Sequence, residues 1–155
     1  MAGAIDRFRR EAEARGLSLD VRTFPEGTKT ADAAARAVGC EVGQIVKSLV
    51  FVGDGQPLLA LTSGANRADP GRLADVAGAR EVRRATPEEA RAATGFSIGG
   101  TPPFGHPRPL RTFLDRDLLA YERLWAAAGS PDAVFPITPQ ELLRAAEARV
   151  EDFKA

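Results

Sequence analysis

The residue that points most clearly to chemistry is a lysine in an apolar run. Lys47 interrupts the stretch 45–52, whose β-branched and aliphatic residues are typical of a buried strand. The chain has eighteen arginines and only three lysines, and the other two, Lys29 and Lys154, lie in a polar loop and near the end of the sequence. A partly buried ammonium here could bind a carbonyl oxygen or stabilise developing negative charge. Burial would also lower its pKa and open base chemistry.

A structural explanation of Lys47 stands beside the chemical one. Edge strands often carry a lysine whose stem covers apolar surface while its ammonium reaches water. In an extended strand, Lys47 shares one face with Leu49 and Phe51, and the even-numbered residues share the other, so both faces are predicted to be apolar. Composition alone leaves the two explanations balanced.

A glycine- and proline-rich segment, 99–106, is the second candidate. Gly99 and Gly100 would let the main chain approach a ligand closely, and Pro102 would stiffen the segment, so that a substrate clamp including Thr101 could form. The alternative is a plain connector, which is the commoner use of such loops. His106 could serve in acid-base chemistry or hydrogen-bond an RNA, although a single loop histidine more often does neither.

Other kinds of site find little support in the sequence. One cysteine and one histidine exclude an internal disulfide, a cysteine-based zinc cluster and a multi-histidine metal site. There is no serine nucleophile motif, phosphate loop or dinucleotide fingerprint. Asp115 and Asp117 flank Arg116 at the end of a predicted strand, where charged side chains are expected to be solvated. Neither a metal nor an organic cofactor is expected.

Composition predicts one globular domain over residues 1–155, with 44% hydrophobic and 27% charged residues. The 21 basic and 21 acidic residues balance, so no broad basic face is expected, DNA is not an expected partner, and any contact with RNA must be local. There is no secretory segment and no apolar run of about 18 residues. A cytoplasmic protein without membrane contact is therefore expected.

The elements that must position these residues follow from capping signals and apolar periodicity. Strands are predicted at 46–52, 58–62, 81–84, 110–114, 118–125 and 133–137. Helices are predicted from about Ile5 to Gly16, from Thr28 or Thr30 to Val38, from Asp69 to Gly78, from Thr86 to Gly95 and from Thr138 to about Val150. Because strands and short helices alternate without a regular βαβ rhythm, we expect a mixed α/β (α+β) fold around a curved, barrel-like mixed sheet with surrounding short helices.

Several motifs together resemble the YbaK/ProX family of aminoacyl-tRNA editing domains. They follow the family order over roughly residues 20 to 150. The motifs are Thr30-Ala31-x-x-Ala34, Gln44 to Phe51, Thr62 to Arg67, Thr94 to Gly105, Phe113-Leu114-Asp115 and Ala127-Ala128-Gly129.

This resemblance implies a YbaK/ProX-like fold and a trans-acting deacylase related to the insertion domain of bacterial prolyl-tRNA synthetases, working without metal or cofactor. Carried over by motif, Lys47 is the essential lysine, and Gly99 and Gly100 form the catalytic main-chain loop around the aminoacyl ester. The predicted substrate-binding residues are Thr30, Ser48, Gly64, Thr101, Pro102, His106 and Gly129.

The resemblance also implies a substrate, tRNA(Pro) carrying a small wrong amino acid. The segments 99–106 and 127–130 differ from the branch that acts on Cys-tRNA(Pro), which favours alanine, with cysteine, serine and threonine as alternatives. The expected partner is the acceptor end of an aminoacyl-tRNA, and prolyl-tRNA synthetase is a second candidate. A binding module of the same fold without catalysis is the competing hypothesis.

Overall fold

The computed structural model describes residues 3–155. No helix in this part of the chain is long and apolar enough to span a membrane. The helices are α1 (Ala4–Ala14), α2 (Ala31–Val38), α3 (Pro70–Ala77), α4 (Pro87–Thr94) and α5 (Pro139–Ala146). The strands are β1 (Arg22–Thr23), β2 (Ile45–Gly53), β3 (Gln56–Ser63), β4 (Val82–Arg84), β5 (Arg111–Asp115), β6 (Leu124–Ala127), β7 (Ala133–Ile137) and β8 (Arg149–Glu151). Short 3-10 turns cover Val42–Gln44 and Arg116–Ala120.

One mixed sheet organises these elements. Its strand order is β1-β7-β6-β2-β3-β5-β8, and β4 pairs with β2 outside this path. β2 and β3 form the predicted antiparallel hairpin, in which Lys47 lies opposite Thr62. β6 runs parallel to β2, and β5 runs parallel to β3. The predicted mixed α/β fold is confirmed.

β2 lies in the middle of this sheet. β3 pairs with it along one side from Val46 to Gly53. On its other side, β6 pairs at Ile45–Val46 and β4 pairs at Phe51–Gly53. Lys47 is therefore not on an edge strand, and the edge-strand explanation of this lysine is wrong.

Apolar side chains pack on both faces of the sheet, as the alternation in β2 predicts. Val46 and Val50 join a large core that includes Phe8 of α1. Phe51 packs on the opposite face, in a second core that includes Leu73 of α3. Because apolar side chains cover both faces of β2, its main-chain N–H and C=O groups can reach a ligand only where strand pairing is interrupted.

Capping signals set the beginnings of four helices. The Thr30 hydroxyl accepts a hydrogen bond from the Ala33 amide at 3.0 Å, so Thr30 rather than Thr28 caps α2. Asp69, Thr86 and Thr138 cap α3, α4 and α5 as predicted. Such side chains satisfy amide groups that a helix leaves without an internal partner.

Two predicted elements are wrong in extent. Instead of a strand over 118–125, the chain turns after β5, where the Asp115 side chain accepts from the Asp117 amide at 3.0 Å and caps a 3-10 turn. The last helix ends at Ala146, because Glu147 adopts a left-handed conformation with φ 49°. The residues after it form β8, which pairs with β5.

Candidate active site

The candidate site lies where the pairing along one side of β2 is interrupted. β6 leaves β2 after Val46, and β4 joins it only at Phe51. Between the two strands, a cavity of about 450 Å³ opens beside Lys47 and Ser48. We call this the gap cavity. Its volume falls in the range usual for small-ligand sites.

The gap cavity collects six of the predicted site residues. Its walls include small side chains from α2, α4, β6 and the residue after β4. The predicted residues in the lining are Thr30, Lys47, Ser48, Gly64, Gly99 and Thr101. The small side chains are Ala31, Ala34, Ala85, Ala90, Ala126 and Ala127.

Lys47 lines this cavity, and one hydrogen of its ammonium is already bonded. Its Nζ donates to the main-chain carbonyl of Asn66 at 2.5 Å. Within residues 3–155 this is its only hydrogen-bond partner, and no carboxylate lies within ion-pair distance of it. Two ammonium hydrogens are therefore free for a ligand.

Burial and neighbouring cations lower the Lys47 pKa. Desolvation is the largest cause, followed by the positive charges of Arg84 and Arg67, while the negative charge of Asp115 acts in the opposite direction. The two arginines, together with Lys47, also line a second concavity of about 410 Å³ that adjoins the site. Lys47 thus faces both concavities, in a region of positive potential.

Ser48 turns its main chain toward the gap cavity. Hydrogen-bonding groups of successive strand residues point to alternate sides. The Ile45 carbonyl accepts from Gly64 on the β3 side at 2.7 Å, and the Val50 carbonyl accepts from Ala85 on the β4 side at 3.1 Å. Ser48 is two residues before Val50, so its N–H and C=O point to the same side as those of Val50, into the gap between β6 and β4.

The Ser48 side chain is also without a partner. Its Oγ is a buried polar atom that makes no hydrogen bond within residues 3–155. A buried hydroxyl without a partner is costly, so Ser48 has an unmet hydrogen bond at a residue of the cavity wall. Ser48 therefore directs its main-chain groups to the site and carries an unpaired hydroxyl.

The loop between α4 and β5 is anchored by aromatic residues. Phe96 and Phe104 are buried in the large core, while Gly99 and Thr101 line the gap cavity. Neither of the amides of Gly99 and Thr101 has a partner within residues 3–155. Gly99 has φ +88°, a conformation that favours glycine. The loop is therefore a shaped part of the cavity wall rather than a plain connector.

Four predicted site residues do not line the gap cavity: Gly100, Pro102, His106 and Gly129. Gly100 packs against the main chain of Ser130, where an added Cβ would lie 2.8 Å from the Ser130 Cα. Gly129 packs against Ala4 in the same way. His106 Nε2 is 2.9 Å from the Pro102 carbonyl, so this nitrogen carries the hydrogen of that bond. Burial lowers the His106 pKa.

Three residues that sequence reasoning did not assign complete the site. Arg84 and Arg67 flank Lys47, and Asp115, expected to be solvated, is only 1% exposed. Arg67 and Asp115 belong to the sequence motifs Thr62 to Arg67 and Phe113-Leu114-Asp115. Nothing near them in the sequence, or near Arg84, indicates that they are neighbours of Lys47. Within residues 3–155, no three His, Cys, Asp or Glu side chains cluster as a metal site would require.

Comparison with known proteins decides the family. The sequence model of the aminoacyl-tRNA editing domain matches residues 25–145. The chain belongs to this family. The editing domain is also 32% identical over 124 residues to the uncharacterised protein YwhH of Bacillus subtilis, which covers 79% of this chain and 78% of that protein.

Other relatives of this editing domain carry more specific names. EbsC of Enterococcus faecalis, named as a candidate Cys-tRNA(Pro)/Cys-tRNA(Cys) deacylase, is 29% identical over 77% of this chain and 74% of its own length. The proline–tRNA ligase of Nitratidesulfovibrio vulgaris is 34% identical over 59% of this chain, but the match spans only 16% of that ligase. A solved structure described as a candidate trans-editing enzyme for prolyl tRNA synthetase superposes with TM-score 0.94 and 50% identity, covering 100% of this chain and 99% of that one.

Proposed function

We propose that this editing domain hydrolyses the ester bond of aminoacyl-tRNAs that carry a small wrong amino acid. tRNA(Pro) charged with alanine is the first candidate substrate, and cysteine, serine and threonine are the alternatives. One observation carries the proposal: Lys47, whose ammonium has two free hydrogens, lines a cavity of about 450 Å³ together with unpaired main-chain groups and small side chains.

The proposed chemistry uses position and charge rather than a protein nucleophile. Lys47 donates to the carbonyl oxygen of the ester and stabilises the negative charge that builds there as water attacks the carbonyl carbon. The bond from that carbon to the ribose oxygen breaks, and a proton from the water passes to the ribose oxygen. The neighbouring ribose hydroxyl of the substrate is the candidate relay for this proton. The products are a free amino acid and an uncharged tRNA.

Main-chain groups around the cavity are assigned to orienting the ester. The Ser48 carbonyl is placed to accept from the substrate α-ammonium, and its hydroxyl adds a second contact. The free amide of Gly99 is a donor for the oxyanion or the ribose, and Gly100 allows the loop to pack closely against Ser130, while Gly129 allows close packing against Ala4. Thr30, Gly64 and Thr101 complete the pocket, and Pro102 with His106 braces its loop.

The small side chains in the wall support a small aminoacyl group. Alanines from α2, α4 and β6 leave room in the cavity without offering charge. One methylene group in such a pocket is worth about 1–3 kcal/mol of discrimination. Selectivity among alanine, cysteine, serine and threonine therefore depends on the fit against these alanines.

Arg67 and Arg84 suit the acceptor end of the tRNA. They lie beside Lys47 on the adjoining concavity, where they could contact phosphates next to the esterified ribose. Because the chain has no net charge, this contact is local, and prolyl-tRNA synthetase remains a candidate partner that would help to deliver the tRNA. We expect the protein to act in the cytoplasm, where aminoacyl-tRNAs are made.

A panel of charged tRNAs tests this function. Purified protein is incubated with tRNAs that carry Ala, Cys, Ser, Thr or Pro, and loss of the ester is followed against a protein-free control. Faster loss for at least one small amino acid, with Pro-tRNA(Pro) spared, is the expected result. Saturable binding without ester loss would favour the binding module, and absence of both would contradict the proposed function.

A further inference from the structure

A chain of hydrogen bonds connects the Lys47 ammonium to a buried carboxylate at the end of β5. Lys47 Nζ donates to the Asn66 carbonyl at 2.5 Å. The Asn66 side-chain amide donates to Asp115 Oδ2 at 2.9 Å. We infer that Asp115, acting through Asn66, is a positioning residue for Lys47, an inference that rests on the proposed deacylase function.

Asp115 is held by three donors and no cation. Its Oδ2 accepts from the Ser63 amide at 3.0 Å and from Asn66, and its Oδ1 accepts from the Asp117 amide at 3.0 Å. Within residues 3–155 it forms no ion pair, although it is 1% exposed. A buried charge is expensive unless it is fully hydrogen-bonded. The three neutral N–H donors stabilise the Asp115 carboxylate without neutralising its negative charge.

Asn66 transmits the position of this carboxylate to Lys47. It lies in the turn after β3, where its amide donates to the Ser63 carbonyl at 2.9 Å. Its side-chain amide joins Asp115 to Asp117, with both distances at 2.9 Å. Because the side chain is tied to β5 and the residues after it, the Asn66 carbonyl is fixed in the direction of Lys47.

This arrangement has two effects on the ammonium. The fixed carbonyl takes one hydrogen of Nζ and thereby sets the directions of the other two. The Asp115 charge also opposes the like charges of Arg84 and Arg67, which with burial lower the Lys47 pKa. Asp115 thus acts to raise the Lys47 pKa and, through Asn66, orients the ammonium without an ion pair that would compete with the substrate.

Three variants separate positioning from mere folding. Asp115→Asn keeps the shape and removes the charge. Asn66→Ala cuts the link to Asp115 while keeping the carbonyl that Lys47 contacts. Asp152→Asn is the matched control, since Asp152 is a carboxylate that pairs with Arg72 at 3.1 Å and with Arg116 at 3.2 Å and, within residues 3–155, forms no hydrogen bond with Asn66.

The first measurement needs no tRNA. With only three lysines in the sequence, carbon-13 labelling of the lysine ε-carbons gives a signal for each, which is followed against pH. In Asp115→Asn, Lys47 is expected to lose its proton at lower pH than in the unmodified protein, while Lys29 is unchanged. An unchanged Lys47 titration in folded Asp115→Asn would overturn the inference.

The second measurement is single-turnover deacylation. Asp115→Asn and Asn66→Ala should each slow the chemical step by about 10- to 100-fold with little change in the substrate concentration that gives half the maximal rate. Asp152→Asn should stay close to the unmodified rate. If Asp115→Asn does not fold, an unmodified rate in Asn66→Ala overturns the inference. If the unmodified protein hydrolyses no aminoacyl-tRNA, the proposed function fails, and the lysine titration still decides whether Asp115 sets the state of Lys47.

Discussion

Arg84 brings a second positive charge beside Lys47 across the interruption in the sheet. Both side chains line the gap cavity and the adjoining concavity, and the guanidinium lies over the Phe51 ring with its Cζ 5.5 Å from the ring centroid. Together, the two positive charges make a site for a ligand with developing negative charge. The charge of Arg84 also lowers the Lys47 pKa.

The first prediction concerns activity at alkaline pH. Since the Lys47 pKa is lowered by burial and by Arg84, the ammonium is lost at a lower pH than that of an exposed lysine, and activity falls with it. Arg84→Met removes one like charge, so the Lys47 pKa and the alkaline limit of activity should both rise. Deacylation rates across pH, corrected for spontaneous hydrolysis, measure this. The control is Arg83→Met, because Arg83 pairs with Glu89 at 2.8 Å, away from the site. An equal rise of the Lys47 pKa in Arg83→Met would argue against a specific effect of the Arg84 charge on Lys47.

Ser48→Ala should separate binding from stability. Because Ser48 Oγ has no partner, its removal is expected to leave the melting temperature unchanged or higher, while substrate affinity falls by about 2- to 10-fold. Ser63→Ala is the comparison, since Ser63 Oγ donates to the Gly43 carbonyl at 2.8 Å and its loss should cost about 1–3 kcal/mol of stability. A marked loss of stability in Ser48→Ala would show that the hydroxyl is satisfied within the protein.

His106 is expected to affect stability rather than the chemical step. Burial lowers its pKa below the ordinary 6.5, so in acid the unfolded chain binds a proton that the folded protein does not. Stability should therefore fall as the pH drops below about 6.5, and His106→Gln should lessen this dependence. Melting temperatures between about pH 7 and pH 5 test it. A large loss of deacylation in a stably folded His106→Gln would instead give His106 a direct role in substrate binding.

Ala127→Val should sharpen selectivity for the smallest amino acid. Ala127 is half-buried in the wall of the gap cavity, and two added methyl groups would narrow it. Hydrolysis of cysteinyl, seryl and threonyl esters should fall more than that of the alanyl ester, by about 10-fold or more. Ala120→Val, at an exposed position outside the cavity lining, is the control. Equal losses for all four esters would place the aminoacyl group elsewhere.

Local signals were enough to predict much of the fold. Helix beginnings at Thr86 and Thr138 depend on residues within one turn, and the hairpin of β2 and β3 depends on contiguous apolar runs. The end of α5 could not be predicted in this way. β8 exists because it pairs with β5, which is distant in the sequence.

The same distinction applies to the site. Lys47 was a candidate from the sequence because a lysine within an apolar strand is unusual on its own, and in the fold it lines the gap cavity. Arg84 was not, because its place beside Lys47 follows from the pairing of β4 with the far end of β2. Asp115 was expected to be solvated, but β5 lies between β3 and β8, and the Asn66 turn covers its end.

The most direct test of the central claim is the single-turnover hydrolysis of a mischarged tRNA by Lys47→Ala, with folding checked by melting temperature. Loss of the ammonium that stabilises the oxyanion should slow ester loss by about 10²- to 10³-fold, while the fold is kept because the Lys47 side chain is only half-buried. A folded Lys47→Ala protein that hydrolyses Ala-tRNA(Pro) at the unmodified rate would contradict the account.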